Sequence, residues 1–264
     1  MSAARGTRRG IALVLVLWLV VALAATAGAV AASARDASRA AVNARAAAVA
    51  RHAAESGVVA AVAELESRLA TLGDTLARRA YLNRLDRALA APGETALGDA
   101  RFQVVLDDVS ARLDVNAAGA DALAALLARV AAPAEARGAA EAVARWTGAA
   151  GLESGDLAAR LRAGRAPRPL RSLDDLRLVP GFPERLALAA APYLTVDGDG
   201  RVNRRTAPEP VLAAARGTLV DEPSRILVIS RGWLAGHPLT HEVQAVYEVS
   251  GARLLFVRWR ERTL

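Results

Sequence analysis

Few side chains in this sequence could do chemistry. It has no cysteine and three histidines, His52, His237 and His241. Without thiols there is no disulfide framework, no cysteine nucleophile and no cysteine-ligated metal. His237 and His241 flank Pro238, which interrupts the single helix face that an i, i+4 metal pair would need. His52 falls in a long helical pattern and reads as a surface or packing residue. The sequence contains no G-x-S-x-G, no phosphate-binding loop and no H-E-x-x-H, so the commoner nucleophile, nucleotide and zinc-hydrolase signatures are missing. Asp197-Gly198-Asp199-Gly200 puts two carboxylates on a flexible turn, a pattern that suits a hard cation such as calcium. The glutamate that completes an EF-hand loop is absent, since that place falls among Ala207-Pro208-Glu209, and a plain turn is the better reading. Asp107-Asp108 reads as a hairpin tip. No catalytic residue, metal ligand or cofactor is expected, and calcium lacks a ligand motif.

The amino terminus offers a different chemistry, that of peptide-bond processing at a membrane. Arg5, Arg8 and Arg9 precede Gly10, and from Ile11 to Ala34 there are 24 residues without a charge. About 20 apolar residues cross the hydrocarbon core of a bilayer. The basic flank predicts a cytoplasmic amino terminus with the rest of the chain outside. A secretory signal peptide is the rival reading, with an apolar region at Ile11–Leu23 and a small-residue cleavage site at Ala32-Ser33-Ala34. Three features favour a retained segment. Gly10 sits at the junction itself, and neither Pro nor Gly interrupts Val30 to Ser56. The stripe Val58, Val62, Leu65, Leu69, Leu72, Leu76 continues one helical face beyond the apolar run.

The elements that follow are shorter. Pro92-Gly93 should end the helix near Leu89. Arg101–Asp114 has two apolar patches around Asp107-Asp108 and predicts a β-hairpin. Asp114 and Asn116 precede an apolar periodic run at Leu123, Leu126 and Leu127, as helix caps do. To about Pro192 the pattern predicts four or five short alanine-rich helices, broken by Pro133, Gly148, Gly151, Gly164, Pro167 and Pro169. Ser172 with Asp175 has the spacing of a capping box. Val179-Pro180-Gly181-Phe182 reads as a hinge between two helices. Val202-Asn203 echoes Val115-Asn116, too briefly to establish a repeat. Arg225–Ser230, Glu242–Val249 and Leu254–Trp259 read as strands, the last two paired antiparallel about a turn at Gly251.

Net charge is +7, and all 34 cationic residues are arginine. Together with the alanine content this reads as compositional drift. Arginine is spread along the chain with no run of five, which weakens an electrostatic footprint for nucleic acid.

The basic leader, Gly10 and the apolar helix opening at Ile11 resemble the substrates of prepilin peptidase, cut after the glycine. Ordinary pilins carry Glu at the fifth mature position; here that position is Leu15. Among pseudopilins the missing Glu marks the minor pseudopilin K of type II secretion, the subunit at the tip. The order of stem, hairpin ending in D-V-N, helical segment with S-L-D-D-L-R-L-V-P-G-F, Val202-Asn203 with T-A-P, and terminal strands is similar to that family along nearly the whole chain.

The resemblance implies an α+β fold. A long transmembrane and stem helix would carry a pilin-like antiparallel sheet and a large inserted all-α domain of helix–hairpin–helix or SAM-like type. The expected boundaries are a leader at 1–10, a membrane segment at 11–34 and a stem at 35–91. The sheet would occupy 92–114 and 197–264, with the insert at 115–196. It further implies a non-enzymatic subunit of the inner membrane, single-pass, with most of the chain periplasmic. Its partners would be minor pseudopilins I and J, the major pseudopilin and prepilin peptidase, with methylation of the new amine on Ile11 and no nucleic acid. The competing resemblance is to membrane-anchored competence receptors for DNA, whose helix–hairpin–helix the V-P-G-F hinge resembles. Phe182-Pro183 replaces the second glycine of that hairpin and removes a backbone donor.

Overall fold

A computed structural model describes residues 7–85, 93–148, 168–216 and 219–264. The first helix, α1 (Thr7–Thr71), is 65 residues long. It ends well before residue 91, where the stem was expected to stop. Leu72 and Gly73 break it, and the Asp74 carboxylate caps a new helix, α2 (Thr75–Leu82), by accepting from the Leu76 and Ala77 amides. An N-cap of this kind satisfies amide donors that the first turn of a new helix would otherwise leave open. The expected end near Leu89 and Pro92 lies outside the described residues. Leu76, the last member of the predicted stripe, falls beyond the break and is 72% exposed.

Against α1 packs a five-stranded antiparallel sheet in the order β1 (Thr95–Leu97), β2 (Ala100–Asp108), β7 (Arg225–Leu234), β8 (Thr240–Ser250), β9 (Arg253–Thr263). The three terminal strands match the sequence expectation, and Gly251 lies in the β8–β9 turn. The hairpin expected about Asp107-Asp108 is corrected. Arg101 to Asp108 is one continuous strand paired along its length with β7, from Ala100 opposite Leu234 to Asp108 opposite Ile226. Asp108 ends that strand and caps a 3-10 turn at Val109–Ala111.

The chain therefore leaves the sheet at Asp108 and re-enters it beside the same point at Arg225. Between lies a second lobe with its own buried cluster, running from Leu113 and Val115 through Leu123, Leu126 and Phe182 to Val211 and Ala214. Its helices are α3 (Ala120–Leu127), α4 (Pro133–Thr147), α5 (Glu184–Ala190) and α6 (Glu209–Ala214), with 3-10 segments at Leu173–Leu178 and Ala191–Tyr193. The expected capping box is formed, but by Ser172 and Asp175 on the 3-10 segment. The breaks expected at Gly151, Gly164 and Pro167 lie outside the described residues.

Two expectations for this lobe are corrected. It is not all-α, because β3 (Leu113–Asp114) pairs parallel with β4 (Leu194–Thr195), and β5 (Val202–Asn203) with β6 (Leu219–Val220). It also reaches past 115–196, because Val202, Val211 and Ala214 complete its core rather than joining the sheet.

The Val-Asn echo is structural, in another register. Asp114 Oδ1 accepts from the Asn116 amide, and the Asp114 carbonyl from Ala117 and Ala118. Asn203 Oδ1 accepts from Arg205, and its carbonyl from Thr206 and Ala207. Each Asx turn leads six residues later into a helix, α3 at Ala120 and α6 at Glu209. Leu113-Asp114 thus corresponds to Val202-Asn203.

Candidate membrane anchor and the neck that carries the lobe

Gly10 and Ile11 lie within the helical backbone of α1. From Ala12 to Arg45 every residue is exposed, including Leu13, Trp18, Leu19 and Leu23, and Leu15 at 65%. Residues 12–34 rise about 35 Å at 1.5 Å per residue, enough for a hydrocarbon core of about 30 Å. Apolar side chains on every side of a helix need lipid or other helices around them.

Burial begins at Ala46 and is of an unusual kind. Ala46, Ala50, Ala53 and Ala54 face the sheet with essentially no exposure, followed by Val58, Leu65 and Leu69. Small side chains let the strand come close. A Cβ on Gly232 of β7 would collide with the Ala50 carbonyl and the Ala54 nitrogen and sit 2.8 Å from the Ala53 methyl. A Cβ on Gly57 would strike Ser230 Oγ and lie 2.8 Å from the Phe102 ring. Sequence reasoning missed this face because alanines at helical spacing are inconspicuous in an alanine-rich chain. Charged contacts fix the helix laterally. Glu66 accepts from the Leu254 amide at 2.8 Å, and Arg51 pairs with Glu55 and Glu261. Glu64 on the same helix is exposed.

The neck between sheet and lobe is polar and buried. Ser110 Oγ accepts from the Ser224 amide at 2.9 Å and the Arg225 amide at 3.2 Å, and it meets Ser224 Oγ at 2.8 Å. The Asp108 carboxylate accepts from Asn203 Nδ2, the Thr206 hydroxyl and the Ser110 amide. Burial pushes Asp108 above the usual carboxylate range, against the lowering effect of those donors. Burial raises Asp114 in the same way, opposed by the Asn116 amide and Arg225.

The Asp197-Gly-Asp-Gly segment is a bent loop and not the tight turn expected, and its carboxylates are already engaged. Asp197 takes Arg258 at 2.9 Å and Arg260 at 2.5 Å, both from β9, and Arg225 donates to the carbonyls of Asp197 and Gly198. Asp199 accepts from Ser224 Oγ and the Arg201 amide. The arrangement is a staple that holds the lobe to the sheet. Among the described residues no group of three or more His, Asp or Glu is placed to hold a metal ion. The histidines are dispersed: His52 beside Glu55, His241 between Thr263 and Glu261, and His237 accepting from the Leu239 amide.

At the V-P-G-F hinge the basic side chains have acidic partners. Arg177 pairs with Asp174 and Glu184, and Arg185 with Glu135.

These features define a class: an α+β subunit with a long amino-terminal helix, apolar enough to cross a membrane, whose distal half packs on an antiparallel sheet. Residues 82–198 match the model of a known family, described as type II secretion system (T2SS), protein K. That stretch is similar to this family, the one the motif order resembles. A solved structure, the GspK–GspI–GspJ complex from the type 2 secretion system of enterotoxigenic Escherichia coli, is similar at 14% identity with a TM-score of 0.48, covering 65% of this chain and 83% of that chain. No curated protein matches.

Proposed function

We propose that the chain is a minor pseudopilin of type II secretion, placed at the tip of the periplasmic pseudopilus and helping to start its assembly for export of folded proteins. The family match over residues 82–198 is the observation that carries this reading, and the exposed apolar helix agrees with it. The peg-like first half of α1 holds the new chain in the inner membrane, amino terminus cytoplasmic, until prepilin peptidase cuts between Gly10 and Ile11 and the new amine is methylated. The helix then leaves lipid to pack among neighbouring stems. Ala24, Ala25, Ala27 and Gly28 permit close approach there, as small residues do between helices in lipid. An intramembrane carboxylate is costly unless paired. Leu15 therefore suits a subunit with nothing stacked above it, and the lobe's bulk suits growth from below.

Minor pseudopilins I and J and the major pseudopilin are the partners of this reading. Mild crosslinking of inner membranes followed by purification of the tagged full chain should recover I and J. Recovery of neither, with the chain present in the membrane, would overturn the tip assignment. The competing DNA-receptor reading is disfavoured because Glu135, Asp174 and Glu184 already occupy the hinge arginines and would repel phosphate.

A further inference from the structure

A cleft of about 350 Å3 opens where α2 meets the β5–β6 end of the lobe and the β8–β9 turn. Arg78, Arg79, Arg201, Glu222, Val249 and Gly251 are among the residues that line it. Its charges are nearly all satisfied in place. Asp221 takes two bonds from Arg204, at 2.5 and 2.6 Å, and lies 3.4 Å from Arg205. These arginines, the Arg204 hydrogen bonds first, hold its carboxyl down at about 2. Glu222 pairs with Arg79 at 3.4 Å, and Asp199 with Arg201 at 3.6 Å.

Arg78 is the exception. Its Nε is buried without a hydrogen-bond partner, and among the described residues its guanidinium enters no ion pair. A half-buried guanidinium at a concave surface, its Nε out of water and unpartnered, leaves donors of its planar fork without acceptors. Arginine outnumbers carboxylate around the cleft: Arg78, Arg79, Arg201, Arg204 and Arg205 stand against Asp199, Asp221 and Glu222.

We propose that this cleft binds a carboxylate presented by another polypeptide, an Asp or Glu side chain or a chain end, with Arg78 as the bidentate donor. A monoanion fits better than a phosphate dianion, because Asp221 and Glu222 border the same space and repel added negative charge. The small Gly251 turn and the apolar Val249 and Pro223 leave room for the stem of an acidic side chain. A carboxylate held by a guanidinium fork is a charge-assisted, geometrically specific contact.

The test uses the full chain in detergent micelles, with arginine Nε–Hε resonances followed during titration with N-acetylglutamate at constant ionic strength. A saturable shift of the Arg78 resonance is expected. The remaining shifts at the cleft should need about tenfold more ligand in Arg78→Gln, as loss of one charged hydrogen-bonding partner implies. Arg78→Lys, which keeps the charge and loses the fork, should fall between. Arg137→Gln, which removes a partner of Asp121 in the lobe, should titrate as the parent does. A linear, unsaturable response, or equal binding by parent and Arg78→Gln, would overturn the site. Tighter binding of inorganic phosphate than of N-acetylglutamate would overturn the choice of carboxylate. Should Arg78→Gln fail to fold, Arg78→Lys alone decides: binding equal to the parent's contradicts the bidentate role.

Discussion

The two halves of α1 are one unbroken helix with opposite solutions to burial. From Ala12 to Arg45 nothing among the described residues covers it, although its first part is its most apolar. From Ala46 to Leu69 it is set into a sheet by side chains smaller than most helix faces carry, with Gly57 and Gly232 at the tightest approach. Burial along this helix follows the partner available and not the hydrophobicity of the residue. The uncovered half needs a bilayer or other helices around it; the covered half is a structural core.

That contrast can be broken by mutation. The largest effect is expected from Leu69→Ala, which empties a fully buried site in the stem–sheet cluster and should cost about 3–4 kcal/mol in urea unfolding of the detergent-solubilised chain. The matching change Leu19→Ala, in the uncovered half, should alter body stability by no more than about 0.5 kcal/mol. Equal costs would erase the distinction.

Next comes Gly232→Val. Its new atoms meet backbone of α1 that cannot step aside, so about 2–3 kcal/mol of destabilisation is expected from overpacking, whereas Gly28→Val, with nothing within 4 Å, should leave the melting of the body unchanged. Third, Asp197→Asn frees Arg258 and Arg260 and should cost about 1–3 kcal/mol, as orphaning charged hydrogen-bonding partners does. Its mark should be faster amide exchange across residues 194–203, with α1 protection unchanged. Protection lost equally in both regions would mean that lobe and stem open as one unit.

The smallest effect is at acid pH. Asp221 titrates near 2 in the folded chain and higher when unfolded. The stability its ionisation contributes is therefore present above the ordinary carboxylate range and is lost as pH falls towards 2. Asp221→Asn should flatten the unfolding curve below pH 4 and leave the curve above pH 5 parallel to the parent's. An unchanged acid limb would contradict the pairing with Arg204.

Much of this architecture was legible where periodicity and caps are local. The uncharged run after Gly10, the Val58–Leu72 stripe, the Ser172–Asp175 capping box and the three terminal strands all declare themselves within a few residues. What stayed hidden depends on pairing across distance. The Asp107-Asp108 pair looked like a hairpin tip because nothing local shows that Ile226 lies opposite Asp108. Ser110 and Ser224 close the neck from 114 residues apart. Asp74 ends the stem by capping a new helix, where an amphipathic stripe alone suggested continuation. The Val-Asn echo was too brief to establish a repeat, and only the hydrogen bonds reveal the paired Asx turns, at Asp114 and Asn203.

The exposed half of α1 gains its meaning from how the amino terminus is processed. Co-expression of the full chain with prepilin peptidase, followed by amino-terminal sequencing of the membrane-bound product, reads this directly. A mature chain beginning at Ile11, still held by the membrane, is the predicted result. A chain beginning at Arg35 and released from it would show that the segment is a discarded export signal, and the pseudopilin account would fail.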